Sequence, residues 1–218
     1  MNKIALLLSG LGYEKGSSVF ELPFVLRTLE KRGMIPQPSV PSKSFNEREH
    51  LLGAPDIQQE LKILFSEKVY TYEELSPQAL DGAIVFGGRG AMTVLSNYAD
   101  KAENAQCNPE FTDFIRALRL RNKPIGSLGY GAIPIVLGLR KIAKPIITCG
   151  GDPQVQDVLE HLGAIVVNTT ADNVVIDEQN RIYSSHGIIP STSIYRASQG
   201  IEQVIDALVD SILEDKGA

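Results

Sequence analysis

Tryptophan is absent from this chain, cysteine occurs twice and histidine three times. Two cysteines, Cys107 and Cys149, cannot build a disulfide framework, and they lack metal-type spacing. The histidines, His50, His161 and His186, form no His-x-x-x-His pair, so neither a metal site nor a metal cofactor is expected. A reducing, cytoplasmic setting follows as the expectation. No stretch approaches the roughly 18 consecutive apolar residues of a membrane span. The apolar run near the N-terminus, Ile4-Ala-Leu-Leu-Leu8, falls short of the about 7–15 residues of a signal-peptide core and meets a glycine-rich turn at once. It reads as a first β-strand. Basic residues are also in deficit, 21 Lys and Arg against 26 Asp and Glu, and they are scattered, which argues against nucleic acid or an anionic membrane as the main partner.

What is present is a composition that builds a core: 43% hydrophobic and 22% charged over 218 residues, most simply one domain spanning 1–218. Short apolar runs at Lys3–Leu8, Ile35–Val40, Gly82–Phe86, Ile125–Leu128, Pro145–Thr148 and Ile165–Val167 read as strands. Pro36 and Pro38 each remove a ladder donor, so the second strand should sit near an edge or be irregular. Helical stripes fall at Val19–Arg32, Gln58–Val69, Pro109–Leu120, Pro153–Leu162 and Gly200–Leu213, with a short helix ending near Leu137. Residues 41–60 read as an exposed connection. Val174–Asp177 and Arg181–Ser184 flank Glu178-Gln-Asn180 as a β-hairpin. No internal repeat or low-complexity tract interrupts the pattern. Alternating strands and helices imply an α/β fold with a mostly parallel sheet covered on both faces. Ligands bind such sheets outside the carboxyl ends of the strands. Three glycine-rich turns, at 9–12, 87–90 and 129–131, fall at those ends.

The turn with the most chemical meaning is the run Lys123-Pro-Ile-Gly-Ser-Leu-Gly-Tyr-Gly-Ala132. A short strand running into a sharp glycine-flanked turn suits a nucleophile elbow, yet the nucleophile position, Gly129, has no side chain. Other groups fall near it. Gly87 and Gly88 allow backbone N–H groups to approach a ligand, as in an oxyanion hole. Arg89 offers a partner for a carboxylate. Glu21, near the start of the first helix, suits either a helix-dipole role or an acid–base role. Cys149, in Thr148-Cys-Gly-Gly-Asp152, precedes a helix, whose N-terminus lowers a thiol pKa. The same residue fits a small buried side chain. His186 occupies a Ser184-Ser-His-Gly187 turn and suits a surface or hydrogen-bonding role. The loop from Ser9 and Gly10 to Gly16 is spaced G-x-G-x-x-x-G, off the dinucleotide fingerprint, and no acid follows the second strand to hold a ribose. Only Lys43 offers a partner for a 2′-phosphate, so no cofactor is expected.

Taken together, several motifs resemble the ThiJ/PfpI superfamily, related to class I glutamine amidotransferases, and within it the ElbB-like isoprenoid-biosynthesis glyoxalase branch. They are Leu8-Ser-Gly-Leu-Gly12 with Gly16-Ser17 and Glu21, Gly87-Gly-Arg-Gly-Ala91 with Leu95-Ser-Asn97, Lys123-Pro-Ile-Gly126, Val158-Leu-Glu160 with Leu162-Gly-Ala164, and Asp172-Asn-Val-Val-Ile-Asp177. The resemblance runs nearly end to end. It implies a flavodoxin-like three-layer sandwich, a homodimer, and glyoxalase-type conversion of methylglyoxal by an elbow cysteine beside a glutamate. The glutamate maps to Glu21 and the oxyanion-type loop to Gly87 and Gly88. The cysteine maps to Gly129, the small hydrophobic residue after it to Tyr130, and an aromatic to Arg89. Three readings follow. The first is a binding or regulatory protein that holds a small aldehyde or carboxylate-bearing metabolite near Ser9, Gly10, Gly87, Gly88, Arg89 and Tyr130. The second is an enzyme with its nucleophile relocated to Cys149 and Glu21 as proton partner. The third, an NADP-binding protein, stands only on the imperfect N-terminal loop.

Overall fold

Strand β1, Lys3–Leu7, is apolar on both faces from Ile4 onward, the pattern of a strand covered on both sides. In a computed structural model of the chain, which describes residues 2–10, 16–42, 68–189 and 193–217, it lies inside a seven-stranded sheet. Its companions are β2 (Ile35–Val40), β3 (Tyr70–Thr71), β4 (Gly82–Val85), β5 (Ile125–Leu128), β8 (Val175–Asp177) and β9 (Ile182–Ser185), in the order β3-β2-β1-β4-β5-β9-β8. All pairings are parallel except β8 with β9, the antiparallel hairpin expected around Glu178-Gln-Asn180. This is the mostly parallel α/β, flavodoxin-like architecture of class I glutamine amidotransferases.

The period of two along each strand sorts the core into two layers. Ala5, Leu7, Ala83, Val85, Ile125 and Ile182 face one side, with the buried stripe of α4 (Pro109–Leu120) and with α5 (Ala132–Leu139). Ile4, Leu6, Ile84, Phe86 and Tyr183 face the other, with α1 (Leu22–Lys31) and α7 (Ile194–Gly217). On that second side Arg27 pairs with Glu202, and Arg32 with Asp206 and Asp210, joining α1 to α7. Two short helices on the first side, α2 (Gly90–Thr93) and α3 (Tyr98–Lys101), follow β4.

Both prolines of β2 are tolerated for a geometric reason. The Ile35 N–H donates to Asn2 O and the Leu8 N–H to Ser39 O, so Ile35, Gln37 and Ser39 turn their polar groups toward β1. Pro36 and Pro38 therefore face the other side, where β3 pairs only with Ser39 and Val40. Two expected strands behave differently. β6 (Ile146–Ile147) and β7 (Ile165–Val166) pair in parallel as a separate two-stranded sheet, linked by α6 (Pro153–His161). Side chains replace the ladder that would have joined them to the main sheet: the Ile146 N–H donates to Asp177 Oδ2 (2.7 Å) and the Thr148 N–H to Ser184 Oγ (3.0 Å).

Helix α1 starts later than the apolar stripe suggested because residues 18–20 form a turn ahead of Pro23. The terminal helix starts earlier and runs longer, from Ile194. The expected helix at Gln58–Val69 and most of the 41–60 connection lie outside the described residues; Lys68 and Val69 are not helical. Among the described residues, no helix is long and apolar enough to cross a membrane.

Candidate functional site

The carboxyl ends of β1, β4, β5 and β9 bring four turns together, and Glu21 sits where they meet. It opens α1, its N–H donating to Ser18 O at 3.2 Å while its carbonyl accepts the Val25 N–H at 3.1 Å. The side chain does not cap its own helix. It crosses the sheet end instead. Oε2 accepts the Gly87 N–H and Oε1 the Ile188 N–H, both at 3.0 Å, and the residue is 1% exposed. Burial pushes the carboxyl up to about 7 from its usual value; the two N–H bonds favour the charged form but are outweighed.

The turn after β5 has the strained conformation of an elbow. Gly129 takes φ +48°, and a Cβ built on it would stand 2.9 Å from the His186 carbonyl oxygen and 3.8 Å from Ile189 Cγ2. Backbone of the segment that follows β9 thus stands against the elbow residue. Gly187, at φ +59°, makes this approach feasible. A Cβ there would lie 2.4 Å from Glu21 Oε1 and 2.9 Å from the Gly129 N. Nothing in the sequence marked Gly187 or Ile188 as partners of Glu21. The available signal was the glycine closing Ser184-Ser-His-Gly187 at a fourth strand end.

The other expected ligand residues divide into two groups. Ser9, Gly10, Gly87 and Gly88 are knitted to residues 16–18 as one packed unit. The Ser9 N–H donates to Ser17 Oγ (2.9 Å), the Ser17 N–H to Gly10 O (3.0 Å), the Ser18 N–H to Gly87 O (3.0 Å) and the Gly90 N–H to Gly16 O (3.0 Å). Gly87, expected to offer an oxyanion donor, has already committed its N–H to Glu21. Arg89 and Tyr130 are more open: Arg89 is exposed just ahead of α2, and Tyr130 is half-buried, its hydroxyl donating to Asp152 Oδ2 at 3.4 Å. Lys43 lies outside the described residues.

Burial raises both thiols. Cys149 is fully buried in the core, three residues ahead of the N-cap Asp152 rather than at the helix start. Burial, then the Asp152 charge, pushes its thiol up to about 12, the reverse of the lowering expected at a helix N-terminus. Cys107 is held between the carbonyls of Leu95 (3.3 Å) and Pro134 (3.5 Å), and burial raises it to about 12 as well. His186 is half-buried and pushed below its usual value by that burial. Its carbonyl, not its ring, meets Gly129. Among the described residues, no group of three or more His, Cys, Asp and Glu side chains is arranged to hold a metal ion.

Comparison with known proteins adds an independent line. No family model matches the chain. It is 24% identical over 99% of its length to the mitochondrial ES1 protein homolog of Rattus norvegicus, covering 84% of that protein. It is equally similar to the mitochondrial glutamine amidotransferase-like class 1 domain-containing protein 3 of Homo sapiens, with the same coverage. Among solved structures, an isoprenoid biosynthesis protein with an amidotransferase-like domain from Ehrlichia chaffeensis superposes with a TM-score of 0.81 at 25% identity, over 96% of this chain and 99% of that one. Glyoxalase III from Candida albicans shares the fold with a TM-score of 0.63 at 17% identity, over 94% of this chain and 97% of that one. The chain is thus similar over nearly its whole length to glutamine amidotransferase-like class 1 domain proteins and to an isoprenoid biosynthesis protein with an amidotransferase-like domain, and it shares the fold of ThiJ/PfpI-type proteins.

Proposed function

We propose that this chain is a non-catalytic member of its superfamily, a single-domain, homodimeric cytoplasmic protein that binds a small aldehyde or carboxylate-bearing metabolite. In this reading it does not carry out the cysteine-dependent glyoxalase chemistry implied by its resemblance. The observation that carries the reading is the closure at Gly129. The His186 carbonyl stands 2.9 Å from where a Cβ would be, so a side chain at the elbow position would have to displace the backbone after β9. Glu21 supports it further, because both carboxylate oxygens are taken by backbone N–H groups. Its role here is to tie three loops together. Removal of a covalent nucleophile costs orders of magnitude in rate even where binding groups survive. Arg89 and Tyr130, the more open groups at this edge, supply the metabolite contacts.

The test is lactate formation from methylglyoxal by the purified protein, run beside the Cys149→Ser variant. The reading expects no lactate above the protein-free control from either. It also expects small carboxylates to raise the melting temperature of the wild type more than that of Arg89→Ala. Turnover by the wild type that disappears in Cys149→Ser would overturn it and favour the relocated nucleophile.

A further inference from the structure

A cavity of about 650 Å³ lies at the amino end of the parallel strands, opposite Glu21, within the 300–1,000 Å³ range of small-molecule sites. Its wall combines Arg119 from the last turn of α4 with Lys141 and Lys144 from the connection between α5 and β6. Ile142 and Ile165, each 52% exposed, supply apolar surface to the same wall.

The charges in this cavity are unbalanced. Arg119 Nη2 donates to two neutral oxygens, Gln179 O (3.3 Å) and Asn180 Oδ1 (3.2 Å), and its Nε–H is buried without an acceptor. None of the three cations has an ion pair among the described residues. The carboxylate in the wall, Asp177, accepts three neutral donors, the Ile146 N–H (2.7 Å), the Asn180 N–H (3.0 Å) and Asn180 Nδ2 (2.8 Å), so it offsets one of the three cations without pairing with any of them. Cations do collect at helix carboxyl ends, which accounts for Arg119 on α4 and Lys141 just after α5. It does not account for Lys144, farther along the connection, nor for the backbone at Lys141. That residue adopts φ +75° at the position after a helix where glycine is favoured. A lysine is strained there, and strain of that kind collects where a side chain has work to do.

We propose that this cavity binds a small organic phosphate with a short apolar body, the phosphate meeting Arg119, Lys141 and Lys144 and the body lying on Ile142 and Ile165. A dianionic phosphate matches a wall of three cations and one carboxylate better than a monocarboxylate does.

The test is a titration with hexyl phosphate followed by amide chemical shifts. Inorganic phosphate, hexanoate and phosphatidic acid vesicles serve as comparison arms. The expected result is saturable binding of hexyl phosphate that shifts Gly163 and Asn180 and leaves Gly129 and Gly187 unmoved, with weaker binding of inorganic phosphate and hexanoate. Lys141→Gly relieves the backbone while removing the charge, so it should melt no lower than the wild type yet bind at least tenfold more weakly. Lys144→Gln should weaken binding in the same direction. Absence of hexyl phosphate binding, shifts confined to the Gly129 turn, unchanged affinity in both variants, or association with vesicles alone would each overturn the proposal.

Discussion

Replacing Glu21 by glutamine removes an ionisable group from the meeting point of three loops while keeping its shape. In the folded chain the carboxyl holds its proton up to about pH 7, whereas the unfolded chain releases it near 4.5. That difference corresponds to about 3 kcal/mol of stability. The sign follows from the direction of the shift. The folded state binds the proton more tightly, so this contribution is fully present below pH 4.5, declines as the pH rises, and is lost above about 7. The glutamine amide accepts one of the two N–H groups but turns its own NH2 toward the other, a mismatch of roughly 1–3 kcal/mol at every pH. Urea unfolding of both proteins at pH 4.5 and pH 8 isolates the effect. Wild type should exceed Glu21→Gln in stability at acid pH, and that advantage should shrink by about 3 kcal/mol, or reverse, at pH 8. A difference between the two proteins that stays constant across this range would refute the assignment of a buried, raised carboxyl to Glu21.

Other perturbations probe the same region and the helix layer behind it. Gly129→Cys places a side chain at φ +48° and against the His186 carbonyl. It should lower stability by roughly 1–2 kcal/mol from backbone strain alone, visible as a drop in melting temperature. Gly187→Ala should be more damaging, since its Cβ would fall 2.4 Å from Glu21 Oε1; loss of the Ile188 amide's hydrogen-exchange protection is the matching readout. Arg32→Ala removes the guanidinium shared by Asp206 and Asp210. These partners are largely exposed, so the cost should be roughly 1 kcal/mol and should shrink in high salt.

Where structure is encoded by local pattern, the sequence was readable. The strand cores follow from short apolar runs, α4 from its stripe of Phe111, Phe114, Ile115 and Leu118 behind the Asn108 cap, and the elbow from the glycines around Tyr130. Proline placement in β2 was legible because a missing donor constrains which side pairs. Features made by distant contacts were not. Glu21 finds its partners in backbone N–H groups of Gly87 and Ile188, and a backbone donor carries no residue signature. Cys149 fitted either a helix-start thiol or a small buried residue, and its burial, with Asp152 nearby, decides for the second. β6 and β7 had strand composition, yet their place outside the main sheet depends on Asp177 and Ser184 standing in for a ladder. The basic cavity gathers Arg119, Lys141 and Lys144 from separate elements.

Native-state alkylation of Cys107 and Cys149 by iodoacetamide, followed residue by residue from pH 6 to 10, addresses the absence of an activated nucleophile most directly. With both thiols raised to about 12, both should react slowly, at rates that keep climbing with pH and never level off in this range. A Cys149 rate that is fast at neutral pH and flat above it would reveal a stabilised thiolate and contradict the account.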